Sequence, residues 1–469
     1  MMLCYDTSRS QVNGTADEVS LEKQSQMRSI RDRLCPDTRG NRFDFCYLSQ
    51  VLSLAKFDLG GEMKLLFLSH EIPSPAFSDP LPLYHEIRHL SVLYGHDITL
   101  ISFASDRSRV EDFQYLKSFC SVEDPIRTES VPLNKLLLEV VKNSVLNLPK
   151  NLKHGLLVNE LDYFYDHRMD QKIKEVIKEG NFEIIVSTRQ MANYVIDVDV
   201  PKIVYPFDAM HEARRQVFAN SGGLQKIAYC LRYVLNRSYE KRIYEEFDAC
   251  LVVTQLDKEL LESLNPRIRC AVVPLGVDAN YFIHADTNEE PSSLILLSAL
   301  QYPAQIANVF FFYNEIFHLV LRERPDAKLY IVGRDPVKEI VDLAADPLVS
   351  VTGYVDDVRP YLAKSTVFVA PMILGTGMKN KVLEAMSMAK AVVTTTTGAQ
   401  GIAVRNREHV IVADNSDEFA RETVSLLKDR RARSTLGANA RKLVDEQYSL
   451  EKVTQVLNDS IVNVLSHRG

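Results

Sequence analysis

From Met63 to the C-terminus, short unbroken apolar runs alternate with longer stretches whose apolar residues recur every three or four positions. The runs Lys64–Ser69, Asp97–Phe103, Glu183–Ser187, Lys202–Tyr205, Ala249–Val253 and Cys270–Pro274 predict strands, and stretches such as Pro82–Tyr94 predict helices. A segment rich in Asp, Glu, Asn, Pro and Ser, His284–Ser293, interrupts the series. A second series then predicts strands at Leu294–Ser298, Lys328–Val332, Val349–Thr352, Thr366–Ala370, Ala391–Thr395 and His409–Val412. Strands separated by helical crossovers lie in parallel sheets. The expected fold is therefore α/β, with two Rossmann-like domains facing each other across a cleft, where ligands of such sheets bind.

This pattern divides the chain into a first domain over 63–283, a second over 284–449, and a helical segment over 450–469 that packs back toward the first domain. Residues 1–62 are polar, with no strong strand. They are expected to be a disordered extension or the product of a mis-assigned start, with Met63 as the true first residue.

Composition changes the picture by exclusion. The formal net charge of −7 over 469 residues argues against nonspecific nucleic-acid binding. The seven cysteines include no CxxC pair and suit a reducing compartment. No apolar run has the length of a membrane span, and no signal-peptide core opens the chain. The expected location is the cytoplasm, with any membrane contact peripheral and at the inner face of the plasma membrane. The basic run Arg214–Arg242, interleaved with Val217, Phe218, Ile227 and Leu231, reads either as a domain helix with a solvated face or as a membrane-surface helix.

The stretch Val369–Gly401 carries the clearest chemistry. An apolar strand end runs through Pro371 into Gly375-Thr376-Gly377-Met378-Lys379-Asn380-Lys381, then into a helix bearing Glu384. Glycines let backbone approach a ligand, and a helix N-terminus offers unpaired N–H groups to phosphate. Two lysines add charge, and a carboxylate within two turns can accept hydrogen bonds from ribose. The loop is neither a Walker A sequence nor GxGxxG.

Other signals are weaker. His85-Glu86-Ile87-Arg88-His89 matches HExxH, but Leu83, Ile87, Leu90 and Leu93–Tyr94 read better as the buried stripe of an ordinary helix, and no metal is expected. Asp208 reads as a helix N-cap or a cleft carboxylate. His211 reads as a cleft residue that bonds a sugar hydroxyl or a phosphate, or as a surface residue at a helix start.

Several segments resemble the retaining GT-B glycosyltransferases of family four, above all the sugar transferases of exosortase and exopolysaccharide systems. Asn380-Lys381-Val382-Leu383-Glu384-Ala385-Met386 is similar to their NKVLEAM block. Gly353–Tyr361 is similar to GxVxDVRPY, Ile331–Pro336 to IVGRxP, and Pro274–Asp278 to the turn that closes the first domain. The resemblance covers about Met63–Ser466. It implies a metal-independent, cofactor-free hexosyl transfer from a nucleotide-sugar to a saccharide or lipid-linked saccharide acceptor, with retention of configuration.

On that resemblance Glu384 takes the ribose. Gly375, Thr376, Gly377, Met378, Lys379, Asn380 and Lys381 hold the diphosphate, while Ser298, Gly333, Arg334, Tyr354 and Val355 complete the donor site. Asp208, His211 and Lys381 are the candidate catalytic residues. The wider family has two glutamates eight positions apart. Glu384 matches the second, and Thr376 stands where the first would be. A non-catalytic nucleotide-sugar binder and a GT-B epimerase are the competing readings.

Overall fold

The computed structural model describes residues 62–74, 81–105, 110–128, 140, 142–156, 158–219, 221–223, 225–283, 289–375 and 377–468. The expectation for 1–61, half of the linker (284–288) and the loop residue Thr376 lie outside the described residues.

Two parallel sheets organise the chain. The first contains β1 (Lys64–Ser69), β2 (Asp97–Ala104), β3 (Ser121–Val122), β4 (Ile126–Arg127), β5 (Ile184–Thr188), β6 (Lys202–Phe207), β7 (Ala249–Val252) and β8 (Cys270–Val272). Its order is β3-β2-β1-β5-β6-β7-β8, with β4 also paired to β2. The second contains β9 (Ser293–Leu297), β10 (Lys328–Val332), β11 (Val349–Val351), β12 (Val367–Ala370), β13 (Val392–Thr394) and β14 (Ile411–Val412), in the order β11-β10-β9-β12-β13-β14. Strand β9 begins at Ser293, inside the segment expected as linker, because Ser293 is buried and pairs with Lys328. The two-residue strands β3 and β4 were not expected; their short runs become strands only by pairing with β2.

The unbroken apolar runs have a direct physical reading. Side chains alternate between the faces of a strand, so a strand covered on both faces must be apolar throughout. In β1, Leu66 and Leu68 enter one core while Leu65 and Phe67 enter the other. In β9, Leu294 and Leu296 face one layer while Ile295 and Leu297 face the opposite one. Burying each such side chain contributes about 1.5–3 kcal/mol.

Each sheet has a point where strand order reverses, β1/β5 in the first and β9/β12 in the second. Loops diverge from such a point and leave a crevice. The helix Leu450–Arg468 lies on the first domain, where Val453, Leu457, Ile461 and Val464 join the core of β1 and the helix Leu81–Tyr94. Asn458 meets His96 Nε2 at 2.8 Å, and Arg468 pairs with Asp248 at 2.9 Å. Among the described residues no helix is long and apolar enough to cross a membrane.

Candidate active site

The C-terminal strand ends of the two sheets face a shared cleft of about 920 Å³. Its second-domain wall is built at the β9/β12 switch. Strand β12 ends at Ala370, the chain turns through the glycine loop, and the helix Asn380–Ser387 starts with its N-terminus at the cleft. Val382, Leu383, Ala385 and Met386 anchor that helix in the core, which fixes the direction of its opening N–H groups. Among the described residues no side-chain cap hydrogen bond forms at Lys379, which opens this N-terminus. Unpaired helix N–H groups favour an anion.

Two glycines in this wall and its loop are there for steric reasons. At Gly333 a side chain would collide with the Ser298 carbonyl, where the ends of β9 and β10 come together. Gly377 has φ +70°, and a side chain there would strike the Asp208 carboxylate from the opposite domain.

The charged residues share a poorly hydrated setting. Lys379 is buried, and its Nζ donates to the Gly377 carbonyl at 2.7 Å. Burial pulls its pKa down to about 8, against the opposing pull of Asp208 and Asp257. Lys381 Nζ donates to Gln305 Oε1 at 2.9 Å, an oxygen that also accepts from Ser298 Oγ at 3.0 Å. Burial, reinforced by the like charge of Lys379, brings Lys381 to about 8 as well, with Glu384 opposing. Glu384, one turn along the helix, is raised to about 7 by burial, with Lys381 opposing. Asn380 Oδ1 is buried without a hydrogen-bond partner among the described residues. This wall holds closely spaced cations whose ionised forms lack full compensation, which suits a polyanionic ligand.

The first-domain wall is reached at the end of β6. The β6–β7 register shifts between Val204 and Phe207, and Phe207 adopts φ +68°, a conformation unusual for a bulky residue. This turn directs Asp208 into the cleft beside Gly377. Burial raises Asp208 to about 6, Asp257 adds to the rise, and Lys379 opposes it. Asp257 accepts the Ala209 N–H at 2.9 Å and so fixes the residue that follows. The walls also touch at Met378, whose sulfur accepts the Leu275 N–H at 3.3 Å.

Of the residues singled out in the sequence, Asp208, Ser298, Gly333, Arg334, Tyr354, Val355, Met378, Lys379, Asn380, Lys381 and Glu384 line this cleft. Gly375 and Gly377 shape the loop behind it; Gly375 lies against the Lys379 amine. Thr376 lies outside the described residues. His211, expected either at the cleft or at the surface, occupies neither position. It is not among the cleft-lining residues but is buried, with Nδ1 2.5 Å from Glu240 Oε2, and Arg189 approaches the same carboxylate at 4.0 Å. Its imidazole joins the helices Met210–Ala219 and Gln225–Ile243.

Sequence reasoning missed Gln305, which positions Lys381, and Asp278, Tyr281 and Asp356, which line the cleft. Tyr281 lies beneath the Arg359 guanidinium, 3.6 Å from the ring centroid, and Arg359 in turn is held by Asp357. The HExxH segment also divides its roles. Leu83, Ile87 and Leu90 are buried as expected, whereas Leu93 and Tyr94 at the helix end are only partly buried, and Glu86 accepts from Tyr205 Oη at 2.9 Å. His85 lines the cleft. No group of metal-binding side chains occurs among the described residues.

Two doubly wound parallel sheets with a ligand-sized cleft at their strand ends define a GT-B fold. Residues 291–429 match the family described as Glycosyl transferases group 1. Together, the fold and this domain support a GT-B glycosyltransferase. The chain is 23% identical to an uncharacterized 44.6 kDa protein in the cps region of Klebsiella pneumoniae, across 83% of this chain and 97% of that one. It resembles the sucrose-phosphate synthase of Thermosynechococcus elongatus with a TM-score of 0.64 at 14% identity, covering 87% of this chain and all of the other. It also resembles Anabaena HepE, crystallised with UDP-glucose, with a TM-score of 0.56 at 14% identity over 86% of this chain and all of the other.

Proposed function

We propose that this protein transfers a sugar from a nucleotide-sugar donor to a saccharide acceptor, free or lipid-linked, with retention of configuration. One observation carries the reading: an uncapped helix N-terminus, two lysines and a carboxylate share one wall of a cleft between domains. Helix N–H groups, Lys379 and Lys381 take the diphosphate, and Glu384 accepts ribose hydroxyls. The base lies toward Gly333–Arg334 and Tyr354–Val355.

In the transfer step the anomeric carbon–oxygen bond to the diphosphate breaks. The acceptor hydroxyl attacks from the same face, and its proton passes to the leaving phosphate. The helix terminus and lysines stabilise the departing charge, a large term in catalysis of this kind. Asp208 faces the sugar from the opposite wall. The lysines supply the positive charge, so the reaction is expected to proceed in the presence of a chelator. The cps-region relative supports a place in polysaccharide or glycoconjugate biosynthesis.

UDP-glucose is the first donor to test, within a panel of nucleotide sugars and saccharide acceptors. The expected result is nucleoside diphosphate release that depends on acceptor, with an α-linked product from an α-linked donor by NMR. Tight binding without acceptor-dependent release would leave a non-catalytic binder, and an altered sugar nucleotide as the sole product would indicate an epimerase.

A further inference from the structure

The helical hairpin that follows Asp208 is not absorbed by the active site. It comprises the helices Met210–Ala219 and Gln225–Ile243. Its base is fixed: His211 on the first helix meets Glu240 on the second, and Asn236, Tyr239 and Ile243 are buried beside them. Toward the tip the burial stops. The second helix has no buried residue before Asn236, although its two arms are joined by Phe218 stacked on Tyr233 at 6.3 Å. Those first eleven residues span about 16 Å at the α-helical rise.

The outer face of this arm is apolar. Ile227 is 69% exposed, Leu231 46% and Val234 52%, and their spacing puts them on one side of the helix. Val217 of the first helix is 43% exposed. Arg237 and Lys241, three and seven residues past Val234, continue the same side, and Lys226 stands at its start. The helix Gln225–Ile243 carries five cationic residues, Lys226, Arg232, Arg237, Lys241 and Arg242, and one carboxylate, the buried Glu240. This arm is cationic on a chain whose net charge is −7.

We propose that the arm binds an anionic lipid surface, with Ile227, Leu231, Val234 and Val217 entering the headgroup boundary and the surrounding cations meeting the lipid charge. An amphipathic helix with an apolar stripe and basic flanks binds a membrane interface in this way. A second copy of the chain fits less well, because a symmetric contact through this face would set cations against cations. The arm begins two residues after Asp208, so lipid contact would hold the cleft close to the membrane. This proposal stands on the arm itself and not on the identity of the donor.

Full-length protein is floated with vesicles of phosphatidylcholine, and with vesicles also containing phosphatidylglycerol, at low and high salt. The wild type is expected to bind the anionic vesicles only, and less at high salt. The triple variant Ile227→Ser/Leu231→Ser/Val234→Ser should keep its melting temperature, since these side chains are exposed, and lose at least about tenfold in vesicle affinity. The variant Lys226→Glu/Lys241→Glu should lose the preference for anionic lipid. Failure of the wild type to bind phosphatidylglycerol vesicles overturns the proposal, as does unchanged binding by the triple variant. A dimer in ultracentrifugation that the triple variant abolishes would also overturn it, because a second copy would then cover the face.

Discussion

Glu384→Gln separates the cost of a buried carboxylate from its use. The substitution keeps the shape of the side chain and removes its charge. In the ligand-free protein Glu384 titrates near 7, against 4.5 for the free side chain, because burial disfavours the charged form. The folded state therefore binds this proton more tightly than the unfolded state. Stability falls as pH rises from 4.5 through 7, and the full penalty applies above 7. The shift corresponds to at most about 3 kcal/mol at 1.36 kcal/mol per unit. Glu384 opens partly to the cleft, where water screens it, and Lys381 loses a compensating neighbour in the variant. The net gain expected for Glu384→Gln is about 1 kcal/mol at pH 8, or a few degrees in melting temperature, and none at pH 4. Nucleotide affinity should move the opposite way. Losing charged hydrogen bonds to ribose costs about 1.5–3 kcal/mol, roughly a 10- to 150-fold weaker Kd. Thermal unfolding at the two pH values, with calorimetric titration of UDP and UDP-glucose, reads both effects. Undiminished nucleotide affinity would show that Glu384 does not hold the ribose, and destabilisation at both pH values would show that its buried charge carries no cost.

Other expectations follow from the same geometry. Lys379 and Lys381 titrate near 8 in the free site, so nucleoside diphosphate affinity should weaken as pH rises through 8. Binding near pH 8 should take up protons, visible as a dependence of calorimetric heat on buffer; heats independent of buffer would argue against lysine contact with the diphosphate. His211→Ala removes the imidazole from Glu240, leaving it the backbone N–H of residue 211 and the more distant Arg189, and should cost about 1.5–3 kcal/mol of stability. Turnover per folded molecule should hold; a specific loss of kcat at unchanged stability would return His211 to the catalytic group. Gly377→Ala forces a side chain onto Asp208 at a left-handed position, a strain of about 1–2 kcal/mol before the clash is counted. Donor KM should rise while the second domain stays folded by circular dichroism, and wild-type kinetics would show that the two walls need not approach here.

The sequence pattern revealed the sheets because strands covered on both faces must be unbroken apolar runs. It did not reveal β3 and β4, whose two-residue lengths depend on pairing with β2. Lys381 and Glu384 were legible because glycine loop, lysines and carboxylate are contiguous, and the local chain brings them together. The partner of His211 was not, since Glu240 lies 29 residues away on another helix. Gln305 had no signal: a neutral side chain in an apolar helix shows its role only when Lys381 is seen against it. The hairpin face was ambiguous for a related reason. Helical spacing of Ile227, Leu231 and Val234 is the same whether the stripe faces a core or solvent, and only tertiary structure distinguishes the two.

On the proposed function, the helix Asn380–Ser387 and Glu384 form a nucleotide-sugar donor site. The most direct measurement is a crystal structure of the protein with a nucleoside diphosphate, beginning with UDP. The diphosphate is expected at the N–H groups of Asn380 and Lys381, with the ribose hydroxyls within hydrogen-bond distance of Glu384. A nucleotide bound away from this wall, or with its ribose turned from Glu384, would contradict it.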